Sequence, residues 1–301
     1  MADSTWRPGD PAAIDGDRVW NDLDEICRRF GPRPAGSDSS RKQREWVSAR
    51  FQACGGQVRE QPFQVRHPLT KETLSCANLV GSWFPDRSRR LLVAAHSDTR
   101  PQCDEERDPQ ARRTPYLGAN DGASGVALLM EIARHLTMAP TDYGVDLVLF
   151  DAEELVYVRV GDYFLGSREF VRLALESEPD VIYEAGLLAD MVGGGNMIID
   201  REMHSQLYAP ELVAEVWAIA RRLKISSFRD RVGRAVYDDH IPFLYHGIPM
   251  IDLIGFNDPH WHKMSDRPEF CSPQSSREVG QVITAWIATK MVEQEAQDEE
   301  G

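Results

Sequence analysis

A single α/β domain, with a mostly parallel sheet covered by helices on both faces, is the fold class this sequence predicts, and three observations predict it. Short apolar runs alternate with helical patterns along the whole 301-residue chain. Those runs are too short for free helices and are bounded by polar residues, so they read as buried strands. An apolar content of 42% supports a full-sized core, and no internal repeat divides the chain.

Each element follows in order. DRVWNDLDEICRRF (17–30) and SSRKQREWVSARFQACG (39–55) carry apolar residues at three- and four-residue spacing, with GPRPAGS as the turn between them. A strand is expected around Gln61 to Arg66, then at ANLVGSW (77–83) and RLLVAAHSD (90–98). GASGVALLMEIARHL (122–136) places Val126, Leu129, Ile132, Ala133 and Leu136 on one helical face. VDLVLF (145–150), AGLLADMV (185–192) and PMIDLIG (249–255) repeat the strand signal, with helices at about 209–223 and 275–293. The chain divides into an N-terminal extension (1–15), one domain (16–295) and an acidic tail (296–301) expected to be a frayed, solvated end.

Composition narrows the partners. Lys and Arg number 34 against 48 Asp and Glu, a formal charge of -14, with no basic stretch able to track phosphates, so nucleic acid is not expected. MADSTWRPGD has neither a basic nor an apolar signal region, and no run approaches the ~18 apolar residues of a membrane span. No membrane association and a cytoplasmic location are the expectation. Cys27, Cys54, Cys76, Cys103 and Cys271 are odd in number without CxxC spacing and read as reduced thiols. Oligomeric state is not legible.

Three apolar strands end in charge. RLLVAAHSD ends at His96 and Asp98, VDLVLFDAEE at Asp151, Glu153 and Glu154, and AGLLADMVGGGN carries Asp190 before a glycine run. In an open parallel sheet the carboxyl ends of strands face one crevice. GANDGASG (118–125) adds Asp121 at the start of a helix, and HWHKMSD (260–266) adds His262 after Trp261. A lone His or Asp in such a place is more often a satisfied polar group or cap. Five of them together, His96, Asp121, Glu154, Asp190 and His262, make an imidazole and carboxylate set that suits zinc. Adjacent Glu153 and Glu154 repel, so a cation compensates them or one of them holds a proton; with a divalent ion, one ligates metal and the other moves protons. Asp98 is placed to accept from the second imidazole nitrogen of His96. His67, His135, His204 and His246 have no partner motif and read as surface or capping residues, as His240 reads as orienting its loop. DRSRRLL (86–92) reads as a solvated turn, and PQCDEERDPQARRTP (101–115) as a lid or an exposed excursion.

The ordered series AHSDTRP, LGANDGASGVALLMEIARHL, LVLFDAEE, LLADMVGG, DDHIPF and WHKMSD resembles metallopeptidase family 28, the zinc aminopeptidases, and within it the glutaminyl-peptide cyclotransferases. The similarity runs from FGPRPAGS (30–37) to the last helix. It implies a zinc aminopeptidase-like fold, a three-layer α/β/α domain on a mostly parallel, mixed central sheet. It also implies that Asp121, Glu154 and His262 hold zinc and that Glu153 is general acid and base. Residues matching His96 and Asp190 hold a second zinc in the two-metal aminopeptidases, with Asp121 bridging, whereas animal cyclases retain them around one. FLGSREFV (164–171), DDHIPFLYHGIP (238–249) and Trp261 before His262 look like the cyclase branch. Asp252 departs from it, standing where animal cyclases carry a histidine.

The activity so implied is conversion of N-terminal glutamine to pyroglutamate with release of ammonia, on a peptide with a free N-terminus. Asp190 and Asp238 are the candidates for holding the amine and positioning protons, with Trp261 walling the pocket. The alternative is a zinc aminopeptidase in which Glu153 deprotonates a water. A catalytically inert relative would lack a ligand or the base, and none is missing here.

Overall fold

The structure, a computed structural model, describes residues 14–136, 143–158, 160–177 and 180–298. Most of the expected extension (1–15) and the last three residues of the acidic tail lie outside the described residues. Helix α1 (Gly16–Phe30) starts where Asp15 accepts the Arg18 amide, and α2 (Asp38–Ala53) where Ser37 accepts that of Ser40. Strands β1 (Gln57–Arg66), β2 (Thr73–Trp83) and β3 (Arg89–His96) follow. A wide turn over Ala119–Ala123 leads into α3 (Ser124–Ala133), then β4 (Gly144–Phe150), the small pair β5 (Val156–Tyr157) and β6 (Val160–Gly161), and α4 (Leu165–Ser177). The second half runs β7 (Ile182–Asp190), β8 (Ile199–Arg201), α5 (Met203–Tyr208), α6 (Pro210–Arg222) and β9 (Phe228–Val232). It closes with α7 (Ile241–Tyr245), β10 (Met250–Ile254) and α8 (Pro273–Asp298).

The main sheet has the order β1-β2-β4-β3-β7-β10. Strands β4, β3, β7 and β10 are parallel, while β1 and β2 run antiparallel at one edge, so the sheet is mixed. Alternation along the strands divides the core. Leu91, Val93 and Ala95 of β3 pack on the face shared with α1, α2, α3, α6 and α8. Leu92 and Ala94 pack on the other, against Phe170 and Val171 of α4 and Phe243 of α7. The result is three layers with both sheet faces covered, the arrangement parallel strands require.

Several expectations need adjusting. Helix α3 is shorter than 122–136, because the wide turn occupies its expected first residues. Helices α4, α5 and α7 were not anticipated, since the latter two span only 6 and 5 residues, too short to show a period. Helix α8 runs to Asp298, past the expected end at 293 and into the segment read as tail. The DRSRRLL stretch is not simply a solvated turn: Arg90 is 4% exposed and pairs with Asp146 of β4 at 2.7 Å. All five cysteines are free, and among the described residues no helix is long and apolar enough to cross a membrane.

Candidate metal and catalytic site

The site forms where the parallel strands run out. His96 ends β3 and Asp190 ends β7. Each lies two residues beyond a position on the α4 face, Ala94 and Leu188, which are register partners, so alternation aims both the same way. Asp190 Oδ1 sits 3.1 Å from His96 Nε2.

After β4 the chain turns through Asp151 to Glu154, with Ala152 in the left-handed region at φ 59. Asp98 fixes this turn by accepting the amides of Glu153 (3.0 Å) and Glu154 (3.1 Å). That corrects its expected role. His96 Nδ1 is 3.9 Å from Asp98, beyond hydrogen-bond reach, and has no hydrogen-bond partner among the described residues.

Asp121 comes from the wide turn before α3. A Cβ at Gly122 would stand 2.6 Å from His96 Cε1, so only glycine lets the backbone pass this close to the imidazole. Asp121 lies between the two histidines, 3.1 Å from His96 Nε2 and 3.4 Å from His262 Nε2. Asp266 secures the turn, accepting the amides of Asn120 (2.8 Å) and Asp121 (3.2 Å) and the Tyr116 hydroxyl (2.7 Å). His262 Nε2 is 2.7 Å from Glu154 Oε1, and its Nδ1 is 3.0 Å from Asp104. Asp104 in turn pairs with Arg100, whose backbone amide donates to Glu154 at 2.8 Å. Trp261 stacks on His262 with ring centroids 4.0 Å apart.

Two donor groups result, His96 with Asp121 and Asp190, and Asp121 with Glu154 and His262, each with ligand atoms within 4.8 Å of one another. Asp121 belongs to both. Glu153 groups with His96 and Glu154 but has no hydrogen bond fixing its carboxyl among the described residues. Burial, then repulsion from Asp238 and Glu154, pushes Glu153 well above the ordinary carboxylate range. Burial and Asp190 do the same to Asp238. Burial opposes charge on His262, but Glu154 and hydrogen bonds to Asp104 and Asp121 outweigh it and raise the imidazole to about 12. Buried carboxylates this crowded call for positive charge, and imidazole plus carboxylate donors are those of zinc, which would displace the histidine protons. The residues present fit the ion.

Glu153, Asp121, Asp190, Asp238, Tyr163 and Trp261 line a pocket of ≈ 80 Å³. His240 and Asp252 do not line it. His240 is fully buried 3.2 Å from Glu202, and both Asp252 oxygens lack a hydrogen bond among the described residues. Burial, then Asp238 and Asp190, holds the Asp252 carboxyl well above its usual range. His67, His135, His246 and His260 bond Tyr157, Glu131, the Pro242 carbonyl and Ser265, outside the pocket. Sequence reasoning missed Asp104, Arg100, Tyr116 and Asp266. Asp104 lies in the loop read as lid or excursion, where no local pattern marks it.

The chain belongs to peptidase family M28, whose profile matches residues 78–287, a span carrying both donor groups. Proteins named as glutaminyl cyclases and proteins named as aminopeptidases both resemble this chain. A glutaminyl cyclase from Fimbriiglobus ruber is 35% identical, with 96% of this chain and 98% of that one covered and a TM-score of 0.88. A leucine aminopeptidase precursor from Bacteroides thetaiotaomicron is 30% identical, with 91% and 97% covered and a TM-score of 0.84. The glutaminyl-peptide cyclotransferase of Boiga dendrophila is 27% identical over 305 residues, 90% of this chain and 80% of that protein.

Proposed function

We propose that this protein is a zinc-dependent glutaminyl-peptide cyclotransferase, with residues 16–295 as its catalytic domain. The observation that carries the reading is the small pocket around Glu153. At ~30 Å³ of liquid volume per water, a cavity of ≈ 80 Å³ equals the space of about two or three waters, on the scale of a single side chain. Cyclisation needs only that residue enclosed, because nucleophile and electrophile belong to it.

Asp121, Glu154 and His262 would hold the zinc in this reading; His96 and Asp190 would act as ligands only if a second zinc bound. When bound, the ion supplies Lewis acidity toward the side-chain amide oxygen. Glu153 takes a proton from the α-amine as its nitrogen bonds to the side-chain carbonyl carbon. The carbon to amide nitrogen bond then breaks, and Glu153 returns the proton to the departing ammonia. A carboxyl held above its usual range by burial and by Asp238 suits a group that must gain and lose a proton in one cycle. Asp190 and Asp238 face the same pocket and hold the amine, and Trp261 walls the side chain. Asp98 and Asp104 are positioning residues, acting through the glutamate turn and His262.

A second reading rests on the second donor group. Two ions sharing Asp121 would suit aminopeptidase chemistry, with Glu153 deprotonating water. Incubation of zinc-loaded protein with a Gln-Xaa dipeptide and, separately, a Leu-anilide decides between them. Ammonia release with a cyclised product, lowered about 10²- to 10⁴-fold in kcat by Glu153→Gln with zinc content unchanged, is the expected outcome. Release of free amino acid without cyclised product overturns the cyclase reading in favour of the aminopeptidase.

A further inference from the structure

Beside the catalytic pocket lies a larger cleft of ≈ 410 Å³, and Val236, Ile254 and Phe256 line both. Three arginines line the cleft, Arg229, Arg231 and Arg234, against Asp200 and Glu202. Strand β9 explains the first two. Alternation sends Arg229 and Arg231 to one side and Asp230 to the other, where it pairs with Arg201 and Arg221.

Asp200 of β8 accepts Nε and Nη2 of Arg229 (2.9 and 3.0 Å) and Nε and Nη2 of Arg231 (2.9 and 2.8 Å). Two guanidinium forks on one carboxylate leave excess positive charge, and the Nη1 end of each has no hydrogen-bond partner among the described residues. Glu202 lines the cleft as a second carboxylate, held down to about 2 against burial by His240 and by the amides of His204 and Ser205, so three arginines face two carboxylates and the balance stays positive. Arg234 is exposed, lies over the Phe256 ring 4.6 Å from its centroid, and has no carboxylate within ion-pair distance among the described residues. A purely structural clasp on Asp200 requires neither a second arginine nor the unpaired Arg234. In a chain of formal charge -14, this cleft is a local positive site.

We propose that the cleft receives a carboxylate of the substrate peptide, carried by the second or third residue, so that the enzyme selects acidic sequences after the N-terminal residue. The assignment rests on the cyclase reading for the residue in the pocket. Phe256 walls both spaces, so a chain leaving the pocket passes Arg234. Because Val236, Ile254 and Phe256 line both spaces, the residues that directly follow the N-terminal one are those brought to the cleft. Guanidinium forks match carboxylates in geometry as well as charge.

The test uses C-terminally amidated tetrapeptides beginning with Gln, with Glu, Gln or Lys placed in turn at positions 2, 3 and 4. Ammonia release by the zinc-loaded protein and calorimetric binding to Glu153→Gln are read in parallel. Glu at position 2 or 3 is expected to raise kcat/KM about fivefold or more over Gln through KM, with the gain fading as salt rises. Arg234→Gln brings the Glu to Gln ratio toward one, Arg234→Glu reverses the preference toward Lys, and Arg172→Gln on α4 leaves the ratio intact. Free-acid versions of the Gln-containing peptides tell a side-chain carboxylate from a terminal one: a gain confined to the free acids overturns side-chain selection. Equal kcat/KM and equal binding for Glu, Gln and Lys overturn the proposal. Absence of ammonia from every peptide overturns the cyclase reading instead, while charge preference in binding still decides the cleft.

Discussion

At Asp98 one carboxylate accepts two consecutive backbone amides, those of Glu153 and Glu154, and so sets where the proposed ligand and the proposed proton carrier point. Replacing it with Asn keeps the shape but turns an NH2 group toward one of those amides, donor against donor. Asp98→Asn is expected to lower kcat or zinc affinity about 10- to 100-fold, as loss of a supporting hydrogen bond does at metal sites. Steady-state kinetics with zinc titration checks it, and unchanged values for both would show that the turn holds without Asp98. The doubled glutamate was legible in the sequence as a demand for a cation. Which group supports it was not, because residues 98 and 153 meet only through the pairing of β3 with β4.

Strands β2, β3, β4 and β7 meet at a second buried polar cluster. Asp146 of β4 accepts Arg90 Nε and Nη2 of β3 (both 2.7 Å), the Ser82 hydroxyl of β2 (2.6 Å) and the Tyr183 hydroxyl of β7 (2.9 Å). Arg90 sits at the opposite end of β3 from His96, so the cluster pins the strands whose far ends carry the site. Asp146→Ala leaves the Arg90 charge buried without its carboxylate and is expected to cost about 3–5 kcal/mol. Urea unfolding of the two proteins measures it, and a loss under about 1 kcal/mol would show the pair to be screened like a surface one. The strands themselves were legible from their apolar runs, and α1, α2 and α6 from their periodicity. The role of Arg90 was not, since a charged residue ahead of a strand looks solvated until the paired strand supplies its carboxylate.

Over the whole molecule, the helical layer is tied together at Glu131 of α3. It accepts Arg18 Nε at 2.7 Å and the Asp15 amide at 3.0 Å from the start of α1, and lies near His135. Burial alone would raise its pKa, but hydrogen bonds from His135, Arg18 and the Asp15 amide outweigh it and depress it from 4.5 to about 2. A carboxylate with a depressed folded pKa contributes stability that is fully present above about 4.5 and lost as pH falls through about 2. Wild type is therefore expected to lose on the order of 2 kcal/mol more than Glu131→Gln across that window, read from urea unfolding at stepped pH. Parallel curves for the two proteins would remove Glu131 from the acid response. The sequence by itself determined the layered α/β class, the strands that end in charge and the residue types that suit zinc, because apolar periodicity and local charge are written along the chain. Only the tertiary structure decided that Asp98 holds amides rather than His96, that Asp104 backs His262, and that three arginines open beside the pocket. Those contacts join segments distant in sequence, and their geometry exists only once the sheet has set its register.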